Sequence, residues 1–309
     1  MQVNNVTDLV QIVLLGFQGS TQKKTSLLCL LIVVFLVTIS GNLLIITLVS
    51  TSRNLHTPMY FFISHLSISD ILLSTDIVPN LFHILLNNGG TMTFIGCMTQ
   101  FYFFSSSEAY ECLLLSVMSF DRYVAICNPL RYTSIMKSTF CMKLIILFWS
   151  VSFFNSFIYV LTTTRLKFCG SNIIDHFFCD LLPVLKLACS DPFPIKLHMA
   201  VISIPFLIIP SIIIVISYVN IVRVILRIPS NISRQKAFST CSSHLIVVSI
   251  FYLTLFSIYI LPTDKQTSEM NKITSLLYTV FTPLVNPIIY SLRNKDIKNA
   301  VKDTVKKCV

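Results

Sequence analysis

The chain has 309 residues, of which 54% are hydrophobic and only 12% are charged, and its mean hydropathy is +0.78. A soluble domain carries roughly 25% charged residues, so this composition excludes a soluble protein and indicates an integral membrane protein. The net charge of +10 does not indicate nucleic-acid binding, because the basic residues flank apolar segments, where they act as topology signals and contact lipid headgroups.

Seven apolar segments are long enough to cross a bilayer, since a helical span needs about 20 residues. They lie near 27–50, 58–85, 95–127, 141–163, 197–226, 237–261 and 272–291. We therefore expect an all-α membrane protein with a bundle of seven transmembrane helices. Its expected parts are an N-terminal segment at 1–26, the membrane domain at 27–291 and a tail at 292–309.

The orientation of the bundle follows from the basic residues. Most of the 23 lysines and arginines fall in segments that face the cytoplasm if the N-terminus is outside. The sequon Asn5-Val6-Thr7 agrees, because Asn5 can be glycosylated only on the outer side. We expect a multi-pass protein of the plasma membrane with an extracellular N-terminus and a cytoplasmic C-terminus.

The tail carries an amphipathic pattern. Ile297, Val301 and Val305 recur every four residues between lysines. This spacing predicts a short eighth helix on the inner leaflet, and a frayed tail is the alternative.

Ionisable residues inside the spans are costly and are functional candidates by default. They are Asp70, Asp76, Glu108, Glu111 and His244. Asp70 and Glu111 lie mid-span and could form one polar cluster with Asn42 and Asn286. Two carboxylates cannot both stay charged there, so either a sodium ion or a shared proton satisfies them; a neutral hydrogen-bonded network is the alternative. No other cofactor or metal is expected.

Two motifs suggest a switch at the inner membrane surface. Asp121-Arg122-Tyr123 ends the third span, where the arginine can reach its neighbouring acid, headgroups or water. The seventh span carries Asn286-Pro287 followed by Tyr290, and the proline kinks the helix. A kinked helix with an aromatic residue near Arg122 is typical of a bistable element.

Four segments together resemble a rhodopsin-like (class A) G-protein-coupled receptor, and within that class a vertebrate olfactory receptor. They are PMYFF leading to Asp70, MSFDRYVAICNPLRY at 118–132, KAFSTCSSHLIVV at 236–248 and PLVNPIIYSLRN at 283–294. The loop phrase SNIIDHFFCD is similar to that of tetrapod-type (class II) receptors. The resemblance covers essentially the whole chain.

The resemblance implies roles for particular residues. Disulfides would join Cys97 to Cys179 and Cys169 to Cys189, which would hold the second outer loop over a ligand cavity. Coupling to a G protein would depend on a switch set, which consists of Asp121, Arg122, Tyr123, Tyr218, Asn286, Pro287 and Tyr290. The implied partners are a volatile odorant, the stimulatory olfactory G protein that raises cyclic AMP, and trafficking accessory proteins.

By the same resemblance the odorant lies between spans three, five, six and seven. The expected ligand-binding residues are Phe104, Ser105, Glu108, Ala109, Cys112, Ile202, Ser203, Phe206, Tyr252, Leu255, Tyr259 and Thr279. Those on the third span share one helical face by their spacing of three and four. Such a cavity is mostly apolar with a few polar anchors.

Glu108 allows two interpretations. An ionised Glu108 would pair with a cationic amine, since nothing else basic is obvious nearby. Alternatively, burial keeps it protonated and hydrogen-bonded to Ser105, Tyr259 or Thr279, and neutral odorants are then equally suitable. One departure from the family pattern also bears on the cavity: Leu253 replaces a usual glycine and is expected to narrow or stiffen the cavity floor.

Other classes of protein fit less well. A non-olfactory receptor of the same fold would not be expected to carry KAFSTCSSH. A transporter or channel would show repeated halves or a continuous polar path. An enzyme is the least favoured, because no nucleophile elbow, zinc helix or phosphate loop is present.

Overall fold

In a computed structural model, which describes residues 10–169, 171–260, 268–293 and 295–308, the chain folds as a bundle of seven long helices followed by an eighth helix. The helices are α1 (Thr21–Thr51), α2 (Pro58–Asn87), α3 (Phe94–Cys127), α4 (Ser138–Thr163), α5 (Phe193–Leu226), α6 (Asn231–Ile260), α7 (268–293) and α8 (Lys295–Cys308). The predicted seven-helix bundle is confirmed, and each predicted span coincides with a helix to within six residues at either end.

Five of the described helices are long and apolar enough to cross a membrane by length and composition, namely α1, α2, α4, α5 and α7. The apolar part of α6 is shorter, at Cys241–Ser257. The 34 residues of α3 include Glu108, Glu111 and the pair Asp121-Arg122, so this helix is more polar than its neighbours. Helix α3 therefore carries ionisable groups that are costly inside a membrane and need partners within the bundle.

Two helices contain a π-helical turn close to a proline. In α5 the turn is Ile204–Ile208, where Pro205 supplies no backbone N–H and the N–H of Ile209 bonds the carbonyl of Ile204. In α7 the turn is Leu277–Phe281, and Pro283 follows it. A π-turn holds one extra residue, so it changes which side chains face the bundle interior.

A small three-stranded sheet covers one end of the bundle. Its strands are β1 (Gln11–Leu14), β2 (Gly90–Thr93) and β3 (Ile173–Ile174). The central strand β1 pairs antiparallel with β2 and parallel with β3. Alternate residues Ile12 and Leu14 point inward and are buried. The all-α prediction did not include this sheet, and the end that carries it is called the sheet end below.

Both disulfides implied by the resemblance are present at the sheet end. Cys97, near the start of α3, is bonded to Cys179, and Cys169 is bonded to Cys189 within the α4–α5 loop. The backbone N–H of Cys179 also donates to Oε1 of Gln100 at 3.0 Å. The loop is therefore attached to α3 by a covalent bond and by a hydrogen bond.

Helices α1 and α7 approach closely at a glycine. A Cβ on Gly41 would lie 3.1 Å from Cβ of Pro287, which is tighter than ordinary van der Waals contact. Next to it, Nδ2 of Asn42 donates to the carbonyl of Pro283 at 3.2 Å. The lack of a side chain at position 41 thus allows α1 to pack against the proline of α7.

The predicted amphipathic eighth helix is confirmed as α8. Its apolar residues Ile297 and Ala300 are buried against the bundle, and Val301 is partly buried. The hydroxyl of Tyr60, in the first turn of α2, donates to Oδ2 of Asp296 at 2.8 Å. This hydrogen bond joins the start of α8 to the bundle at the end opposite the sheet.

Candidate functional site

A cavity of about 380 Å³ lies among α3, α4, α5 and α6 near the sheet end, and residues 180–182 of the α4–α5 loop form part of its wall. Its described lining residues are Phe101, Phe104, Ser105, Glu108, Ala109, Cys112, Asn155, Tyr159, Asp180, Leu181, Leu182, Met199, Ala200, Ile202, Ser203, Phe206, Leu207, Ile208, Leu255 and Phe256. The size and the mostly apolar lining are typical of a site for a small organic molecule.

The structure brings most of the predicted ligand-binding residues to this cavity. Those that line it are Phe104, Ser105, Glu108, Ala109, Cys112, Ile202, Ser203, Phe206 and Leu255. Tyr252 and Thr279 are not on the wall: Tyr252 donates to the carbonyl of Cys112 at 3.0 Å, and Thr279 donates to the carbonyl of Ser275 at 2.7 Å. The side chain of Tyr259 lies outside the described residues.

Glu108 faces the cavity without a hydrogen-bond donor among the described residues. Two of the partners expected for a protonated Glu108 donate elsewhere. The hydroxyl of Ser105 donates to Oγ of Ser156 at 2.8 Å, and that of Thr279 donates to a carbonyl of its own helix. The carboxyl group of Glu108 is thus free to meet a ligand.

A second carboxyl group, that of Asp180, lies on the wall of the same cavity. Asp180 is the N-cap of the short helix Leu181–Leu185, and its Oδ1 accepts the backbone N–H of Leu181 at 2.7 Å. Burial raises the pKa of Asp180 to about 6, although this hydrogen bond opposes the rise. Asp180 therefore remains mostly ionised at neutral pH.

Asn155 completes the polar part of the cavity wall. Its side chain is 7% exposed, and its Oδ1 has no hydrogen-bond partner among the described residues. A buried amide oxygen without a donor is costly, so a ligand that donates to it would remove that cost.

Several lining residues were not predicted from the sequence. Phe101 precedes Phe104 and Ser105 by three and four residues, so the helical spacing already used for α3 could have identified it. Asn155 interrupts an apolar span, which is also a usable signal. Asp180 gave no such signal, because its position depends on the fold of the α4–α5 loop.

The expected effect of Leu253 on the cavity is wrong. Its side chain is 65% exposed on the outer surface of α6, and it does not line the cavity. The neighbouring residues Tyr252 and Leu255 point inward instead, since a helix turns by about 100° per residue. The side chain of Leu253 therefore faces away from the bundle interior, toward the lipid bilayer.

The α4–α5 loop is attached to α7 by a buried ion pair. Nζ of Lys272 lies 2.6 Å from Oδ1 of Asp175 and 2.8 Å from Oε1 of Glu269, and the lysine side chain is only 1% exposed. Next in the loop, His176 is buried, and its ring packs on those of Phe177 and Phe178. Burial, reinforced by the charge of Lys272, lowers the pKa of His176 to about 3.

The predicted polar cluster lies between α2, α3 and α7. Nδ2 of Asn286 donates to both carboxylate oxygens of Asp70 at 3.0 and 3.1 Å, and the hydroxyl of Ser69 donates to Oε1 of Glu111 at 3.0 Å. Asn42 does not bond to these acids, because its amide group donates to carbonyls of α1 and α7. The other span acid, Asp76, accepts from Gln100 only through its backbone carbonyl.

Several buried oxygen atoms on the helices around this cluster take part in no hydrogen bond to a described residue. Oδ1 of Asn42, Oδ1 of Asn286 and Oγ of Ser74 are buried and have no hydrogen-bond partner among the described residues. All the available ligands are oxygen atoms, which suit a hard cation such as sodium. The residues present therefore fit the expected ion, although the described side chains form no group of three or more acids, histidines or cysteines that could hold a metal.

At the opposite end of α3, Asp121 is fully buried and holds Arg122. Nη2 of Arg122 lies 3.1 Å from Oδ2 of Asp121, and the hydroxyl of Tyr132 donates to Oδ1 at 2.8 Å. The Nε of Arg122 is buried without a partner among the described residues. Tyr123 is the next residue of the helix and packs on Phe120. This end of the bundle is called the Arg122 end below.

Other predicted switch residues lie in the same hydrophobic cluster. The hydroxyl of Tyr218, on α5, lies 2.6 Å from Nδ1 of His244 on α6, and both side chains are buried. Tyr290 on α7 is buried one turn after Pro287, and its hydroxyl has no partner among the described residues. Asn5 lies outside the described residues, as do the side chains of Lys236 and Val305.

Comparison with known proteins places this arrangement in a family. The family model described as olfactory receptor matches residues 29–307. Mouse olfactory receptor 5G9 (Mus musculus) is 44% identical over 99% of this chain and 98% of its own length. Human olfactory receptors 11L1 and 5G3 (Homo sapiens) are each 43% identical over 99% of this chain, and over 95% and 98% of their own lengths.

Proposed function

Because the chain belongs to the olfactory receptor family, we propose that it binds a small volatile odorant in the cavity near the sheet end and activates a heterotrimeric G protein at the Arg122 end. As a member of this family it is a multi-pass membrane receptor and not an enzyme. The G protein of our proposal is the stimulatory olfactory type, which raises cyclic AMP.

The observation that carries the proposal is that one helix connects two distinct sites. Phe104, Glu108 and Cys112 of α3 line the cavity, and Asp121 and Arg122 end the same helix at the other side of the bundle. A ligand that shifts α3 relative to its neighbours therefore changes both sites together. A transporter would instead need a polar path that connects the two ends.

In this proposal the sheet end is extracellular and the Arg122 end is cytoplasmic. The two disulfides are at the sheet end, and disulfides persist in the oxidising medium outside the cell. The lysines of α8 and the arginines that follow α3 and α5 are at the Arg122 end, as the positive-inside rule requires.

Activation would separate Arg122 from Asp121 and let it contact the G protein. Tyr218 and Tyr290 are suitable partners for the released arginine, because both lie in the hydrophobic cluster at this end of the bundle. Pro287 lies inside α7 and supplies no backbone N–H, so the helix can bend there and its inner part can move with them.

The test is cyclic AMP measured in cells that express the chain with trafficking accessory proteins, the further partners we expect. The cells receive a panel of volatile compounds, and Arg122→Ala serves as the variant that binds but does not couple. We expect a response in the parent receptor and its loss in Arg122→Ala at equal surface expression. A response that survives the substitution contradicts the proposed role of Arg122.

We also propose that a sodium ion binds at Asp70 and Glu111 and offsets one of their two negative charges, while hydrogen bonds from Asn286 and Ser69 stabilise the other. Asp70 is fully buried and Glu111 is 2% exposed, so an uncompensated pair of negative charges would be strongly unfavourable. The side chains of Asn286 and Ser74 would supply further oxygen ligands. A single shared proton is the competing explanation.

Thermal unfolding of the purified receptor separates the two explanations. We expect sodium chloride to raise the unfolding temperature above that in choline chloride at equal ionic strength, and Asp70→Asn to remove the difference. Equal unfolding temperatures in the two salts, together with a strong dependence on pH, would instead favour the shared proton.

A further inference from the structure

We propose that the cavity recognises an organic ammonium ion, which is held by the carboxylates of Glu108 and Asp180 and by the amide oxygen of Asn155. The ligand class of this receptor would then be small volatile amines. This inference rests on the proposed function and narrows it to one chemistry.

The first argument is that three polar groups of the cavity wall, those of Glu108, Asp180 and Asn155, offer acceptor oxygens without a full set of donors, although the hydroxyl of Tyr159 and the amide group of Asn155 bring donors to the same wall. Among the described residues, neither the carboxyl group of Glu108 nor Oδ1 of Asn155 accepts a hydrogen bond. Asp180 accepts one, at Oδ1, and its other oxygen has no described donor. The hydroxyls of Ser105 and Ser203 already donate, to Oγ of Ser156 and to the carbonyl of Ala200. An ammonium group has up to three donors and no acceptor, so it matches this set.

The second argument is charge. The described lining residues include two acids and no lysine, arginine or histidine. A carboxylate buried in the bundle without a cation is costly, and a bound ammonium ion would supply the missing charge. Asp180, whose pKa is raised only to about 6, supplies a negative charge at neutral pH even before the ligand binds.

The third argument is the shape of the rest of the wall. Away from the acids the cavity is lined by apolar side chains, among them Phe206, Leu255 and Phe256. These can cover the hydrocarbon part of the amine, which contributes affinity in proportion to the apolar area removed from water. The aromatic rings can also attract the cation through their faces.

The experiment uses matched pairs of ligands that differ only in the head group: alkylamines with the alkanols of equal length, and cyclohexylamine with cyclohexanol. Cyclic AMP dose–response curves are recorded for the surface-expressed full chain. We expect the amines to be more potent than the alcohols. We also expect Glu108→Gln and Asp180→Asn to reduce amine potency by about tenfold or more, because hydrogen bonds to charged groups are the strong ones.

The substitutions are chosen to preserve the fold. Asparagine caps helices as well as aspartate, so Asp180→Asn keeps the helix Leu181–Leu185. The control is Asp191→Asn, which changes an exposed acid of the same loop that is not on the cavity wall. We expect amine potency in Asp191→Asn to equal that of the parent receptor.

The possible outcomes separate the two proposals. Equal or greater potency of the alcohols, or full amine potency in Glu108→Gln and Asp180→Asn, would overturn the amine inference. Neither result would contradict the proposed function as an odorant receptor. Silence toward the amines and alcohols together with a response to another volatile compound would overturn only the amine inference, whereas silence toward the whole volatile panel, at confirmed surface expression, would contradict the proposed function.

Discussion

The carboxylate of Asp121 is held by two donors from different parts of the chain. Arg122 follows it directly in α3, whereas Tyr132 belongs to the short helix Tyr132–Ile135. Because Asp121 is fully buried, the free energy of its pairing with Arg122 depends on how well both oxygens are satisfied. Tyr132 therefore stabilises the paired state without touching the arginine.

Tyr132→Phe should raise basal cyclic AMP relative to the parent receptor. The change removes one hydrogen bond to a charged group, which contributes about 1.5–3 kcal/mol, and it weakens the hold of Asp121 on Arg122. The control is Tyr102→Phe, which removes a tyrosine hydroxyl elsewhere on the receptor. The ring of Tyr102 stacks on that of Phe153 at a centroid distance of 5.8 Å, and phenylalanine keeps this contact. Unchanged basal signalling in Tyr132→Phe at equal surface expression would contradict this role.

His176 should make the stability of the sheet end depend on pH. Its pKa is about 3 in the folded protein, against about 6.5 when exposed. Between these values the unfolded chain binds a proton that the folded chain does not, so stability is lost as pH falls below about 6.5. The loss is at most about 1.4 kcal/mol per pH unit for one group.

Between pH 7 and pH 5 we expect the unfolding temperature of the purified receptor to fall relative to that of His176→Phe. Asp180 acts in the opposite direction. Its raised pKa of about 6 means that it takes up a proton at a higher pH in the folded chain than in the unfolded chain, so its protonation stabilises the fold as pH falls. Asp180 is present in both the parent receptor and His176→Phe, so the difference between their unfolding temperatures reports on His176. If the plots of unfolding temperature against pH were parallel for the two proteins, His176 would not take up a proton on unfolding.

Among the elements, the contact between α1 and α7 leaves little room for added volume. Gly41→Val would force its side chain against Pro287, whose Cβ already lies 3.1 Å from an added Cβ. Overpacking of this kind costs about 1–3 kcal/mol, so we expect a lower unfolding temperature and less receptor at the cell surface. Ser40→Val is the control, because Ser40 is exposed on the outer face of α1. Equal effects of the two substitutions would count against the close approach.

The helices could be predicted from the sequence because each span is set by a local property, the length of an apolar run. The nine predicted residues on the cavity wall follow from helical spacing and from the family resemblance. The sheet could not be predicted, since β1 has only four residues and pairs with Ile173 and Ile174, which are distant in sequence. Asp180 was missed for the same reason, because the fold of a loop decides its position.

At the scale of the whole molecule, Lys272 connects the loop over the cavity with α7. Asp175→Asn should lower the free energy of unfolding by about 1 kcal/mol, because among the described residues the buried ammonium group then keeps only Glu269 as an ionic partner, while the lost partner is half exposed. Unfolding temperature measures the effect, with Asp191→Asn as the control. If Lys272→Met alone were as stable as the parent receptor, the ion pair would make no net contribution.

The two ends of the bundle differ in how they are held together. The sheet end has two disulfides, a sheet and a buried ion pair, whereas the described residues of the Arg122 end are joined by apolar packing, by the ion pair of Asp121 with Arg122 and by hydrogen bonds, without a disulfide. Hydrogen bonds exchange more readily than covalent bonds, so conformational change is expected mainly at the Arg122 end.

The order in which the sheet end can form follows from where its parts lie along the chain. During synthesis β1 emerges first, but its partner β2 follows α2, β3 follows α4, and Lys272 arrives only with α7. Until β3 is made, β1 lacks one of its two paired strands, and the cover over the buried side chains of Ile12 and Leu14 is incomplete. The earliest strand of the receptor therefore completes its sheet only after the fourth helix has been made, and the ion pair of Lys272 with Asp175 attaches the loop only after the seventh, so an unfinished chain exposes apolar surface at this end.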